Sequence, residues 1–317
     1  MWVAGAHVSK KCILVGAPVE SGQRVPGCTM GPAAYRVAGL ATMLEELGHS
    51  VDDWGDAAVD PTLMPPGHSA RSVHAEVETY RWTVALTDVA RRAMGAGFPI
   101  FMGGDHALGL GTVAGVATFA KTAGKPLFVL WLDAHSDFHT PATSSSGNYH
   151  GMPVAYLAGR EGFAALPPFP APIPDQNICL FGIRSVDGGE AHALQRRGIQ
   201  VNDMRVLDER GVIAPLREFL QKVEHAKGLL HVSLDVDFLD PSIAPGVGTT
   251  VPGGASFREA HLVMEFLHES KLVTSLDLAE LNPFLDVRGQ TARLMVDLVA
   301  SLMGRKVFDR PTRVGGS

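Results

Sequence analysis

Asp133, His135 and Asp137 follow one another at every second position, directly after the apolar run PLFVLWL (126–132). In extended backbone, residues i, i+2 and i+4 share a face, so these three side chains can enter one space. Three other apolar runs end in the same way: LLHVSL (229–234) leads into Asp235 and Asp237, FPIFM (98–102) into GGDH with Asp105 and His106, and VTSLDL (273–278) into Ala279 and Glu280. Carboxylates gathered without counter-charge repel and raise one another's pKa. Two divalent cations remove that conflict, with histidine supplying nitrogen ligands and carboxylates able to bridge. A ligand set rich in carboxylate, with few nitrogens and no thiolate, favours two Mn ions over Zn or Cu, with Co, Fe or Ni also possible. A metal pair about 3.5–4 Å apart acidifies a shared water, which gives a hydroxide nucleophile near neutral pH. Hydrolysis is the expected chemistry.

Each piece has a plainer meaning when taken alone. A carboxylate–histidine–carboxylate triplet can arise by chance in a chain with 13 histidines. Alternating aspartates are often turns or caps, as Asp240 before Pro241 can be. Gly103 and Gly104 can form a simple turn. The conjunction at four strand ends favours metal, because in an open parallel sheet ligands bind beyond the carboxyl ends of the strands. Neither a G-x-S-x-G elbow nor a P-loop occurs, so covalent catalysis and nucleotide binding find no support.

The elements that must position these residues are legible as alternating short apolar runs and longer helical stretches. Eight strands are predicted, at 12–16, 51–54, 99–102, 127–132, 177–181, 199–201, 229–234 and 272–276. Most are rich in Val, Ile, Leu or Phe, as expected where both sheet faces are covered. Helices are predicted at 32–47, 72–94, 109–123, 209–226, 256–269 and 291–303, with Pro32 suiting a first turn and Gly48 a C-terminal stop. The alternation implies a mostly parallel sheet wrapped by helices on both faces. The proline-rich stretch 166–174 is short and partly apolar, a loop rather than a domain boundary. The expected organisation is an N-terminal extension (1–11), one α/β domain (12–304) and a C-terminal tail (305–317).

Composition narrows the class. The chain has 317 residues, 46% of them hydrophobic, enough for a substantial core. A formal net charge of −6 gives no nucleic-acid footprint. No uncharged apolar run approaches the ~18 residues that span a bilayer, and residues 1–10 lack a secretory apolar core. Cys12, Cys28 and Cys179 are odd in number and scattered, which fits buried thiols in a reducing cytoplasm better than disulfides.

The motifs together resemble the ureohydrolase family, and within it the arginases. The run WLDAHSDFHTPATSSSGNYHGMPV (131–154) carries the resemblance, supported by GGDH (103–106), SLDVDFLDP (233–241), GTTVPGG (248–254), LAELNP (278–283) and the opening GAPVESGQRVPGCTMGPAAYRVAGL (16–40). The match spans most of residues 12–304. It implies one three-layer α/β domain with an eight-stranded parallel sheet, and a dimanganese site of His106, Asp133, His135, Asp137, Asp235 and Asp237. Asp133 and Asp235 are then the bridging ligands; His106 and Asp137 join one ion, His135 and Asp237 the other.

The run SSSGNYHGMP (144–153) is more similar to arginases than to agmatinases. By that resemblance Ser146 and Asn148 contact a substrate α-carboxylate, Asp187 contacts the α-amino group with Glu190 assisting, and Thr249 lines the guanidinium pocket. Glu280 holds the guanidinium through charge-assisted hydrogen bonds, and His150 is the general acid or proton shuttle. With Asp137 these two complete the catalytic set. Without the family, Ser146 and Asn148 read as a polar turn around Gly147, Asp187 as a turn before a helix, and His150 as a structural histidine. One position departs from the pattern: where arginases usually place Asn against the α-carboxylate, this chain has His139, which bears on substrate specificity.

The implied reaction is cleavage of L-arginine to urea and L-ornithine. Its nearest rival is another ureohydrolase acting on agmatine or guanidinobutyrate, and a more distant one is a non-catalytic metal-binding scaffold. The implied partners are a small guanidino substrate and further copies of the chain, as a homotrimer or homohexamer. Arg258 and Glu259 match a trimer-interface pair in some arginases, although they also read as two exposed charges at a helix start.

Overall fold

Each of the eight predicted strands is present in the computed structural model, which describes residues 9–69 and 71–305. They are β1 (Lys11–Ala17), β2 (Ser50–Asp56), β3 (Phe98–Gly103), β4 (Leu127–Leu132), β5 (Ile178–Ile183), β6 (Gln200–Asp203), β7 (Leu229–Asp235) and β8 (Val273–Ala279). All pair in parallel within one sheet of order β2-β1-β3-β8-β7-β4-β5-β6. The four strands that end in the polar clusters, β3, β8, β7 and β4, are consecutive neighbours at the centre of this sheet. Chain order separates them; sheet order joins them.

The central strands β3, β4 and β7 are buried along their whole length because both faces are covered. Leu14, Ile100, Met102, Leu130 and Leu132 face one apolar layer. It is supplied by α1 (Gly31–Val37), α2 (Leu40–Glu46), α8 (Ile213–His225), α9 (Phe257–Ser270) and α10 (Gln290–Leu302), with α7 (Met204–Arg210) beside them. Ile13, Val15, Phe101, Val129 and Trp131 face the other. That layer is supplied by α3 (Glu76–Ala96), α4 (Leu108–Thr122), α5 (Pro153–Leu157) and α6 (Gly188–Arg197). This is the expected three-layer α/β architecture.

The helices depart from expectation at three places, each with a local backbone cause. The helix expected at 32–47 is two, because Gly39 sits in the left-handed region at φ 88° and turns the chain between α1 and α2. The one expected at 72–94 begins only at Glu76, after Ala75 at φ 45°. The one expected at 209–226 is split by Gly211, at φ 69°, into α7 and α8. Helices α5 and α6 lie outside the six expected segments, although the turn at Asp187 does precede α6: Asp187 and Glu190 form a reciprocal capping box at its start.

Most of the expected N-terminal extension (1–8) and tail (306–317) lie outside the described residues. Among the described residues no helix is long and apolar enough to cross a membrane. All three cysteines are buried and unpaired.

Candidate metal centre

The carboxyl ends of β3, β8, β7 and β4 open into a cleft of about 240 Å³. His106, His135, Asp137, His139, Ser146, His150, Asp187, Glu190, Asp235, Asp237, Thr249 and Glu280 line it, so twelve of the fourteen expected site residues meet here. Asp133 lies just beneath, buried, with its carboxylate against both histidine rings. Asn148 does not line the cleft; its backbone N–H donates to Ser146 Oγ at 3.2 Å, and its amide oxygen is buried without a partner. A larger groove of about 550 Å³ lies between Trp54 and α3, but its Asp56 and Asp88 are already paired with arginines and its Asp60 is bound locally by Thr62, so no histidine or carboxylate cluster forms there among the described residues.

Two groups of ligating atoms share Asp133. His106, Asp133 and Asp137 form one, and Asp133, His135 and Asp237 the other. His106 Nδ1 lies 3.0 Å from Asp133 Oδ2, 3.4 Å from Asp137 Oδ2 and 2.9 Å from Asp235 Oδ2. His135 Nδ1 lies 2.9 Å from Asp237 Oδ2 and 3.5 Å from Asp133 Oδ1. His106 Nδ1 and Asp137 Oδ2 are buried but aligned for no hydrogen bond. Orphaned buried donors and acceptors are costly, and a cation between them satisfies both.

The electrostatics point the same way. Burial, then the charge of Asp133, pushes the Asp137 carboxyl well above the usual carboxylate range, and burial with Asp237 does the same to Asp235. Burial alone would lower His106, but the Asp133 carboxylate outweighs it and raises the ring to about 9. His135 is likewise pushed up to about 12 by Asp133 and Asp237 against its burial. Raised histidines and raised aspartates have one cause, a buried cluster of carboxylates short of positive charge. The residues therefore fit a pair of divalent ions with oxygen-rich ligation.

Surrounding groups hold the ligands in place. Trp131 stacks on the His106 ring, with centroids 4.1 Å apart and planes 10° from parallel, and its Nε1–H donates to Asp133 Oδ2 at 3.0 Å. Ser233 Oγ meets His106 Nε2 at 2.8 Å. Backbone N–H groups of His135, Ala134 and Asp237 donate to Asp133, Asp237 and Asp235 respectively. Such outer partners fix ligand orientation. Asp105, the unassigned member of GGDH, accepts from the N–H groups of Gly22 and Ala107 and ties the 20–22 loop to the cleft. Asp105, Trp131 and Ser233 were not expected as site residues. Trp131 and Ser233 carry a period-2 signal, since each sits two residues before a ligand on the same strand face.

Backbone strain concentrates at two cleft residues. Asp137 (φ 47°) and Glu280 (φ 63°) occupy the left-handed region, at a cost of order 1–3 kcal/mol each. Glu280 is held there by its N–H donating to the Gly104 carbonyl at 2.7 Å. Gly104 must be glycine, because a Cβ there would lie 1.8 Å from the Val19 carbonyl oxygen.

The rest of the cleft has two chemically distinct ends. At the inner end Glu280 is buried, and its Oε1 accepts the His106 N–H at 2.8 Å and meets His150 Nδ1 at 2.9 Å. Burial would raise the Glu280 carboxyl, but His150 outweighs it and holds the group below its usual range. At the outer end His139 Nε2 lies 3.0 Å from Asp187 Oδ2 and 3.4 Å from Glu190 Oε2. Glu190 is fixed by Ser136 Oγ and the Phe138 N–H. Thr249 Oγ1 donates to Asp237 Oδ2 at 3.3 Å.

A family profile described as the arginase family matches residues 10–304. An arginase of Agrobacterium fabrum is 57% identical over 306 residues, covering 96% of this chain and 94% of the relative. The crystal structure of an arginase from Bacillus cereus is similar with TM-score 0.86 and 36% identity, over 94% of this chain and all of the other. An Entamoeba histolytica arginase solved in complex with L-ornithine is similar with TM-score 0.84 and 28% identity, over 94% of this chain and 99% of the other.

Proposed function

The chain belongs to the arginase family, a family of hydrolases, and from that premise we propose that it cleaves the guanidinium of L-arginine to urea and L-ornithine. One observation carries this reading: a single cleft holds a buried carboxylate, Glu280, beside the paired ligand groups at one end and the His139–Asp187 pair at the other. A molecule with a guanidinium at one end and an amino-acid head at the other matches both.

His106, Asp137, Asp133 and Asp235 would hold one ion, and His135, Asp237, Asp133 and Asp235 the second. The carboxylate-rich set favours manganese, with Co, Fe or Ni as alternatives. When bound, the ions supply a hydroxide near neutral pH and positive charge for the developing tetrahedral centre. Glu280 accepts hydrogen bonds from the guanidinium and orients its carbon. Thr249 bounds that pocket and holds Asp237. His150, already against Glu280, gives a proton to the departing ornithine nitrogen as its bond to the guanidinium carbon breaks. Asp187 receives the α-ammonium, with Glu190 behind it. His139, Ser146 and Asn148 offer donors to the α-carboxylate.

Urea release from arginine, agmatine and guanidinobutyrate, measured side by side after Mn loading, tests the reading. Arginine is expected to exceed the others by at least tenfold in kcat/KM. Preference for agmatine or guanidinobutyrate would support the second reading, a different ureohydrolase. That alternative draws on His139, which already occupies Asp187 at 3.0 Å.

Further proposals concern organisation. Residues 12–304 form the one domain, close to the 10–304 span of the family match. We assign a homotrimer or homohexamer, with Arg258 available at the start of α9 while Glu259 caps that helix through the Ser256 N–H. Exposed Phe284 and Val287 add apolar surface. Three buried free thiols fit a cytoplasmic setting. Light scattering that gives a monomer at micromolar concentration would overturn the assembly.

A further inference from the structure

Arg184 follows β5 and has no carboxylate partner among the described residues; its guanidinium is spent on main-chain carbonyls. Nη2 donates to Asp237 O at 2.6 Å, Val251 O at 2.7 Å and Leu239 O at 3.3 Å. Nε donates to Val251 O at 3.1 Å, and Nη1 to Gly182 O at 3.3 Å and Phe238 O at 3.5 Å. These carbonyls belong to three segments: the end of β5, the turn 236–239 that carries Asp237, and the loop 248–254 that carries Thr249. Gly254 leaves room for the arrangement, since a Cβ there would lie 2.6 Å from Nη2.

We propose that Arg184 is a positioning residue, which sets Asp237 and hence the ion held by His135 and Asp237, and fixes Thr249 against the same carboxylate. This rests on the two-ion reading above. The planar guanidinium reaches carbonyls of separate segments at once, which a lysine ammonium on a flexible stem cannot reproduce. The other ion, at His106 and Asp137, would meet those segments only indirectly, through the shared ligands Asp133 and Asp235, the latter accepting the Asp237 N–H at 2.7 Å.

The loop has a second anchor that allows a control. Asp240 Oδ2 accepts from the Gly253 N–H at 2.8 Å and the Gly254 N–H at 3.2 Å, without touching Asp237. If Arg184 only secures the loop, Asp240→Asn should mimic its loss.

The experiment titrates Mn into metal-free full-length wild type, Arg184→Lys, Arg184→Gln and Asp240→Asn, with calorimetry and metal analysis as readouts and melting temperature alongside. In both Arg184 variants one of two equivalents should bind about 10–100-fold more weakly, with the other changed less than about threefold. Asp240→Asn should keep both equivalents. Equal weakening of both ions, no weakening, or the same pattern in Asp240→Asn overturns the proposal. So does failure of both Arg184 variants to fold, which would make the arginine a requirement of the fold. A wild type that takes up fewer than two ions overturns the two-ion reading itself, a distinct result.

Discussion

His150 Nδ1 and the backbone N–H of His106 meet the same oxygen of Glu280, Oε1, at 2.9 and 2.8 Å. The residue proposed to hold the guanidinium is thus bound at once to the proposed proton donor and to a ligand segment. Oε2 is left beside the Cys28 thiol, 4.0 Å away. An incoming guanidinium therefore meets a carboxylate already oriented.

His150→Ala is expected to lower kcat by about 10²–10⁴-fold, the usual span for losing a positioned proton donor. Its ring is no part of either ligand group, so metal content should stay within error of wild type. Parallel loss of metal would remove the proton-transfer role.

Asp133 is shared by both ligand groups. Asp133→Ala should abolish high-affinity binding of both ions, and with it activity. Elemental analysis after gel filtration gives the answer. Retention of two ions, or of wild-type turnover, would overturn the bridging assignment.

Metal removal should make stability strongly pH-dependent. In the metal-free protein His106 has a folded pKa of about 9 against 6.5 for the free group. A raised folded pKa contributes stability that is complete below 6.5 and is lost as the pH climbs to about 9. The raised Asp137 and Asp235 act with the same sign, beginning from the ordinary carboxylate range. Bound metal needs the rings neutral and the carboxylates charged, so binding should release protons. The melting-temperature gap between loaded and metal-free protein should widen from pH 6.5 to 9. A constant or shrinking gap would contradict it.

Gly104→Ala forces a side chain against the Val19 carbonyl. It should destabilise by about 2–3 kcal/mol through overpacking. Gly95→Ala, in α3 with nothing near its added Cβ, should instead stabilise by about 0.5–1 kcal/mol. Denaturant midpoints of the two variants check the contrast.

The alternation of apolar runs and the carboxylates and histidines ending four of them determined the class of fold and the chemistry. That information is local: a doubly covered strand must be apolar throughout, and a residue just past its end is free to be polar. The motifs carried His150, Ser146 and Asp187 as well. Helix breaks at Gly39 and Gly211 were hidden, because a glycine inside a helical pattern is either tolerated or used for its left-handed conformation, and tertiary context decides which. Only the tertiary structure decided that β3, β8, β7 and β4 stand side by side, since strand order depends on how crossovers pack. It also decided the pairing of His139 with Asp187 and the fan of carbonyls around Arg184. A guanidinium that binds main chain leaves no mark in the identity of its partners, so such a contact is visible only once the segments are brought together.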